Sequence, residues 1–174
     1  DTTRPDRIHL YGNAAIRTPT LDRLAREGAV FSDAIAVAPT TMPAHASILT
    51  GAYPEQHGAR LNASTELSDR NLTLAEILTR HGFQTAAFVS SFVLDKRFGL
   101  AQGFVHYDDA VDGDDVAGAL SEHPSERDAE AVTTAALDWL GSLDRTRPFF
   151  AWVHYFDPHQ PYLAPAEWAA RFPL

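Results

Sequence analysis

Thr41 stands two residues ahead of Pro43, and His45, Ser47 and Thr50 follow before Gly51. The run Thr40-Thr41-Met42-Pro43-Ala44-His45-Ala46-Ser47-Ile48-Leu49-Thr50-Gly51 joins a hydroxyl, a proline suited to a first helical turn and a glycine stop. The start of a helix presents free N–H groups and the positive end of a dipole, which favours a bound anionic ester. A hydroxyl just before that helix would lie against the anion. It becomes a nucleophile if a metal or a base lowers its pKa. The plainer role for Thr40 or Thr41 is to N-cap the helix.

Other side chains carry less on their own. Asp1 reads as a solvated end and Arg4 as half of a surface salt bridge, with Asp6 structural. His159 lies in Asp157-Pro158-His159-Gln160-Pro161-Tyr162, after an apolar run, and Asp157 is placed to orient it. His154 alternates within that run and reads as core or support, and His57 follows the Thr41 helix in a loop. Asp108, Asp109, Asp112, Asp114 and Asp115 are dense enough to suggest a calcium loop. Ala110 and Ala119 occupy positions that such a loop needs for ligands, so a solvated acidic loop is the better reading. The triplets Asn62-Ala63-Ser64 and Asn71-Leu72-Thr73 match the glycosylation pattern but carry no weight at chance frequency.

These groups need a scaffold. Leu21, Leu24 and Ala25 predict a helix over 19–27 that Gly28 stops, and residues 29–37 lean toward a strand. A helix from Pro43 to Thr50 and a loop over 52–70 follow. Thr73 and Glu76 form a capping box ahead of Leu74, Ile77 and Leu78, with Gly82 as the stop. Residues 83–90 read as a buried strand and 98–124 as a long loop. Val132, Ala136, Trp139, Leu140 and Leu143 predict a helix over 126–143, residues 148–155 form the strongest strand, and the proline-rich ending is extended loop. Strands separated by helices imply an α/β fold with a mostly parallel sheet, whose ligands gather at the carboxyl ends of strands.

The whole chain has 174 residues, enough for one domain or a piece of a larger one. Without cysteine there is no disulfide and no thiolate. A net charge of −9 with scattered Lys and Arg argues against nucleic acid as a partner. No apolar run reaches the ~18 residues of a membrane helix.

The run T-x-P-x-H-x-S-x-L-T-G from Thr41, with Tyr53-Pro54 and His57-Gly58 behind it, resembles the signature of the sulfatases of the alkaline phosphatase superfamily. The opening D-T-T-R-P-D resembles the family's first metal-binding turn. The segment T-P-T-L-D-R-L-A-R-E-G-A-V-F resembles its next helix and strand, and P-F-F-A-W-V-H-Y-F-D-P-H-Q-P-Y the strand that ends in a substrate-site His. The likeness runs from Asp1 to about Pro165. It implies a three-layer αβα fold, alkaline phosphatase-like though partial, in which residues 1–174 form the N-terminal part of a catalytic domain. It implies Thr41 as nucleophile, His159 as leaving-group donor, His45 and Arg4 at the substrate, and Asp1 with Thr41 on a divalent ion, Zn or Ca.

The departures are specific. Sulfatases convert Cys or Ser to formylglycine, and Thr41 cannot give that aldehyde, so no formylglycine is expected. His45 stands where the motif has Arg, and Ser90 and Phe92 stand where a Lys and a His are usual. A Thr nucleophile resembles instead the nucleotide pyrophosphatase/phosphodiesterases and the phosphoethanolamine transferases of the same superfamily. The expected substrate is a small sulfate or phosphate ester. The alternatives are a phosphodiesterase, a transferase passing its group through Thr41, or a non-catalytic fragment. The remaining metal ligands are expected from a missing C-terminal part of the same domain. Composition does not settle the compartment, and the resemblance favours an extracytoplasmic one.

Overall fold

The computed structural model describes residues 2–111, 127–160, 162 and 164–171. The chain divides into two compact units, Thr2–Ala36 and the part from Val37 onward.

In the first unit, α1 spans Pro19–Glu27, with Pro19 at its first position and Gly28 at its end. Thr18 Oγ1 accepts from the His9 N–H and donates to Asp22, and His9 Nδ1 also meets Asp22, at 3.0 Å. Residues 29–37, expected as a strand, form none. They bend at Ser32 and Asp33, and Phe31 and Ile35 are 74% and 88% exposed. A β-leaning sequence becomes a strand only when a neighbour takes its N–H and C=O groups, and among the described residues no ladder involves this one.

The second unit is built around a parallel sheet. Its elements are α2 (Thr41–Thr50), α3 (Pro54–His57), α4 (Leu74–Arg80), β1 (Gln84–Phe88), β2 (His106–Asp108), α5 (Ala129–Gly141), β3 (Phe149–Val153) and α6 (Ala166–Ala169). The strand order is β2-β1-β3, with Ala86 opposite His106 on one side and Ala151 on the other. The expected strands at 83–90 and 148–155 are therefore direct parallel neighbours. Between α2 and α4 the expected loop contains the short helix α3, and the ending contains α6.

β1 is covered on both faces, which is why Gln-Thr-Ala-Ala-Phe has no polar alternation beyond Thr85. Ala86 and Phe88 pack on Val132 and Ala136 of α5, with Trp139 and Val153 alongside. On the other face Val89, Phe92, Leu94 and Leu100 join Met42, Ala46 and Leu49 of α2, against Phe150 and Trp152 of β3. Helix, sheet, helix is the three-layer arrangement expected of this order of elements.

α4 starts as its sequence dictates. The Glu76 N–H donates to Thr73 Oγ1 at 3.1 Å, and the Thr73 N–H donates to Glu76 Oε2 at 2.9 Å. The same turn rests on Gly103, which holds φ +83°, and a Cβ there would run into the Glu76 backbone nitrogen. The Gly103 carbonyl accepts from both Thr79 and Thr85, at 2.7 and 2.9 Å, tying α4 to β1.

Candidate functional site

α2 begins at Thr41, two residues before Pro43, so Thr41 occupies the first helical position and Thr40 the cap. Thr40 makes no capping bond with its side chain. The cap comes from a distance: Asn62 Oδ1 accepts from the Met42 N–H at 2.9 Å. Ala63, the next residue, holds φ +54°, a left-handed conformation that a side chain rarely adopts and that fixes the turn presenting Asn62. Sequence reasoning passed over Asn62 because only its sequon was visible. Nothing local tells that residue 62 reaches residue 42.

His45 lies one turn along. Its Nδ1–H donates to the Thr41 carbonyl at 2.7 Å, which leaves Nε2 with the lone pair in the neutral ring. The ring packs against Trp152 at 5.4 Å and, edge-on, against His154 at 4.9 Å between centroids. Burial pushes its pKa below the usual histidine value, opposed by the bond to the Thr41 carbonyl. A neutral ring does not bring the positive charge of the guanidinium that this position carries in the motif. Its place is to hold the Thr41 turn against the end of β3.

His154 directly follows β3 and is pushed down to about 3, by burial first and then by the neighbouring His45. Ser90, just past the end of β1, donates to the His154 carbonyl at 2.8 Å and lies 3.2 Å from its Nδ1. Phe92 is buried edge-on to Phe98, with the Arg97 guanidinium over its ring. The two positions where a Lys and a His are usual are thus both taken up in packing. The first turn of α2 and the ends of β1 and β3 meet at the carboxyl end of the sheet.

His57 has a structural task. Its Nδ1 accepts from the Ala59 N–H at 3.1 Å, so Nε2–H is the donor to Ser47 Oγ at 3.0 Å. The ring is 2% exposed and closes the corner between α2 and α3. Burial lowers its pKa, against the opposing influence of Glu55.

His159 sits on the loop beyond β3. Its ring lies on Phe156 at 4.3 Å, its N–H donates to the Phe156 carbonyl at 3.0 Å, and Nδ1–H donates to the Gln160 carbonyl at 2.8 Å. Asp157 does not orient this ring by a bond to it. Its carboxylate accepts instead from the N–H of Ala129, at the start of α5, at 3.1 Å.

Arg4 pairs with Asp6 at 2.8 Å on the surface of the first unit, the ordinary salt bridge that its sequence position suggested. The guanidinium, first by its hydrogen bond, holds the Asp6 carboxyl below the usual carboxylate range. Asp1 lies outside the described residues, as do Asp112, Asp114 and Asp115 of the acidic run. Asp108 and Asp109 of that run are engaged by Arg127 and Lys96. Among the described residues no three His, Cys, Asp or Glu side chains gather as a metal site.

The sulfatase family model matches residues 1–173. N-acetylglucosamine-6-O-sulfatase of Bacteroides thetaiotaomicron is 30% identical over 160 residues, covering 86% of this chain and 28% of that protein. Arylsulfatase of Klebsiella aerogenes is 27% identical over 195 residues, covering 90% of this chain and 41% of that protein. The chain therefore spans well under half the length of these curated relatives. A structure solved in complex with its substrate D-glucosamine-2-N,6-O-disulfate superposes with a TM-score of 0.76 at 25% identity, over 94% of this chain and 34% of that one. The phosphonate monoester hydrolase of Agrobacterium radiobacter shares the fold, with a TM-score of 0.76 at 24% identity over 99% of this chain and 42% of that one. With the α/β core, the helix opening at Thr41 and a family match over nearly its full length, the chain belongs to the sulfatase family, within the alkaline phosphatase-like superfamily.

Proposed function

We propose that this chain is the N-terminal part of the catalytic domain of an enzyme that hydrolyses sulfate or phosphate esters, with Thr41 as its nucleophile. The observation that carries this reading is the start of α2. Thr41 holds its first helical position, Asn62 engages the Met42 N–H, and His45 holds the Thr41 carbonyl. These bonds hold the backbone of the residue that carries the hydroxyl at a helix start, where N–H groups and dipole favour an anion. The relatives named as sulfatases favour a sulfate ester. A multifunctional alkaline phosphatase superfamily protein of Trinickia caryophylli, 28% identical over 202 residues, keeps phosphate esters in the reading.

In this mechanism Thr41 Oγ gives up its proton to solvent and attacks the sulfur or phosphorus, the bond to the alcohol oxygen breaks, and the alcohol takes a proton from His159. Water then releases the anion from Thr41. Of the substrate-side residues of the reading, His45 acts by holding the Thr41 turn, while Arg4 rests on its motif alone and pairs with Asp6 within the first unit. No formylglycine takes part, because the Thr41 Cβ carries a methyl group and its oxidation would give a ketone. A divalent ion, Zn or Ca, would polarise the ester and lower the hydroxyl pKa. The described residues supply only the Thr41 oxygen of the proposed pair Asp1 and Thr41, which is not a metal site in itself. No step is therefore routed through an ion, and the other ligands are proposed to come from further residues of the domain.

Thr41→Ala in the full-length protein should lower turnover of aryl sulfate or phosphate esters by at least ~10²-fold, the low end for a group central to catalysis. The melting temperature should move little, since Thr41 holds the first helical position and not the cap, and Asn62 serves the Met42 N–H. Full activity in Thr41→Ala would reduce Thr41 to a structural position. Peptide mass spectrometry should find residue 41 as unmodified threonine in active protein.

A further inference from the structure

All three strands of the sheet end beside one short stretch of chain. The Arg127 N–H donates to the Ser90 carbonyl at 3.2 Å, just past β1. The Arg127 guanidinium pairs with Asp108, the last residue of β2, at 2.9 Å. Beyond β3, Asp157 takes the Ala129 N–H, and Tyr155 OH meets Thr133 Oγ1 at 3.0 Å. The start of α5 thus gathers the loops at the carboxyl end of the sheet.

We propose that Asp157 is a positioning residue for His159, an inference that rests on the reading of His159 as proton donor. A helix start leaves several N–H groups without partners inside the helix. In α5, Asp128 takes the Ala131 N–H at 2.7 Å and Asp157 reaches across to take that of Ala129. A carboxylate at the positive end of a helix makes a charge-assisted bond there. Pro158 alone separates Asp157 from His159, and its ring fixes φ. The His159 N–H is bonded to the Phe156 carbonyl, and its ring is held by Phe156 and the Gln160 carbonyl. Hydrogen bonds thus anchor both ends of a three-residue path, Asp157 on the α5 N–H and His159 on the Phe156 and Gln160 carbonyls, with the Pro158 ring between them. The Asp157 bond lies at the surface, so it adds little to stability. It decides where the donor sits, and a shift of ~1 Å in a catalytic group costs up to ~10²-fold in rate.

A proton donor matters most when the departing alcohol is a poor leaving group. The test compares kcat/KM for para-nitrophenyl and phenyl esters in the full-length enzyme, for wild type, Asp157→Ala, Asp157→Asn and His159→Asn. His159→Asn should lose ~10²-fold on the phenyl ester and far less on the nitrophenyl ester, whose phenolate leaves unprotonated. Asp157→Ala should show the same bias more weakly, about tenfold against less than about twofold, at an unchanged melting temperature. Asp157→Asn keeps an acceptor oxygen and should stay near wild type. An Asp157→Ala variant that loses equally on both esters, or loses nothing, overturns the proposal while the role of His159 stands. A His159→Asn variant without leaving-group bias overturns both.

Discussion

At the scale of single residues, the cap on α2 separates stability from anion binding. Asn62→Ala removes the acceptor from the Met42 N–H and should cost ~1 kcal/mol in denaturant unfolding, together with a loss of ester turnover as the Thr41 turn loosens. Asn62→Asp should restore the stability, because a carboxylate is as good a cap. It should raise KM for the anionic ester, because a negative charge then stands beside the anion's place. Equal kinetics in the two variants would place Asn62 away from the substrate. The residues legible in the sequence were those inside a contiguous pattern, Thr41, His45 and His159. Asn62, Arg127 and the true partner of Asp157 were not, because each acts across 19 or more residues on a backbone N–H or carbonyl, or on one carboxylate, that no spacing rule marks.

At the scale of elements, propensity and context pull apart in two places. The capping box at Thr73 and Glu76 was readable because both of its bonds are local. Residues 29–37 had strand composition without a partner, and His106–Asp108 had a partner without strand composition. In β2 the ladder to β1 outweighs three polar-leaning residues, since the strand's bonds come from its neighbour. The turn before β2 yields a sharp prediction. Gly103→Ala adds a methyl group where the Glu76 backbone lies and strains a positive φ. It should destabilise by ~1–3 kcal/mol, as overpacked sites do, and lower the melting temperature. Gly82→Ala, which also has positive φ but open space around it, should cost less. Equal losses would mean that φ, and not the contact with α4, governs position 103.

At the scale of the whole molecule, buried histidines set an acid limit. His57 and His154 both have folded-state pKa values lowered by burial, the latter to about 3 from the usual 6.5. Above that usual value both rings are neutral in the folded and unfolded chain, and the stability is complete. As the pH falls through it, the unfolded chain takes up protons that the fold refuses, and stability drops by up to ~1.4 kcal/mol per pH unit for each ring. For His154 the loss continues down toward pH 3. Unfolding free energies from denaturant titrations at pH 7.5 and 5 should differ by up to ~2 kcal/mol per ring, and His154→Gln should shrink the difference. A free energy unchanged over that range would mean that the rings titrate normally. The position of β1 has a consequence for assembly. It leaves the ribosome before both of its neighbours, since Ala86 pairs with His106 and Ala151. Until then a short apolar strand has two open edges, the condition in which chains pair with one another. β3, completed only after α5 has been made, closes the second edge, so the sheet depends on long-range closure and folds slowly for its size. The segment that ends at His154, beneath the Thr41 helix, is therefore also the one whose arrival ends the chain's exposure to misassembly.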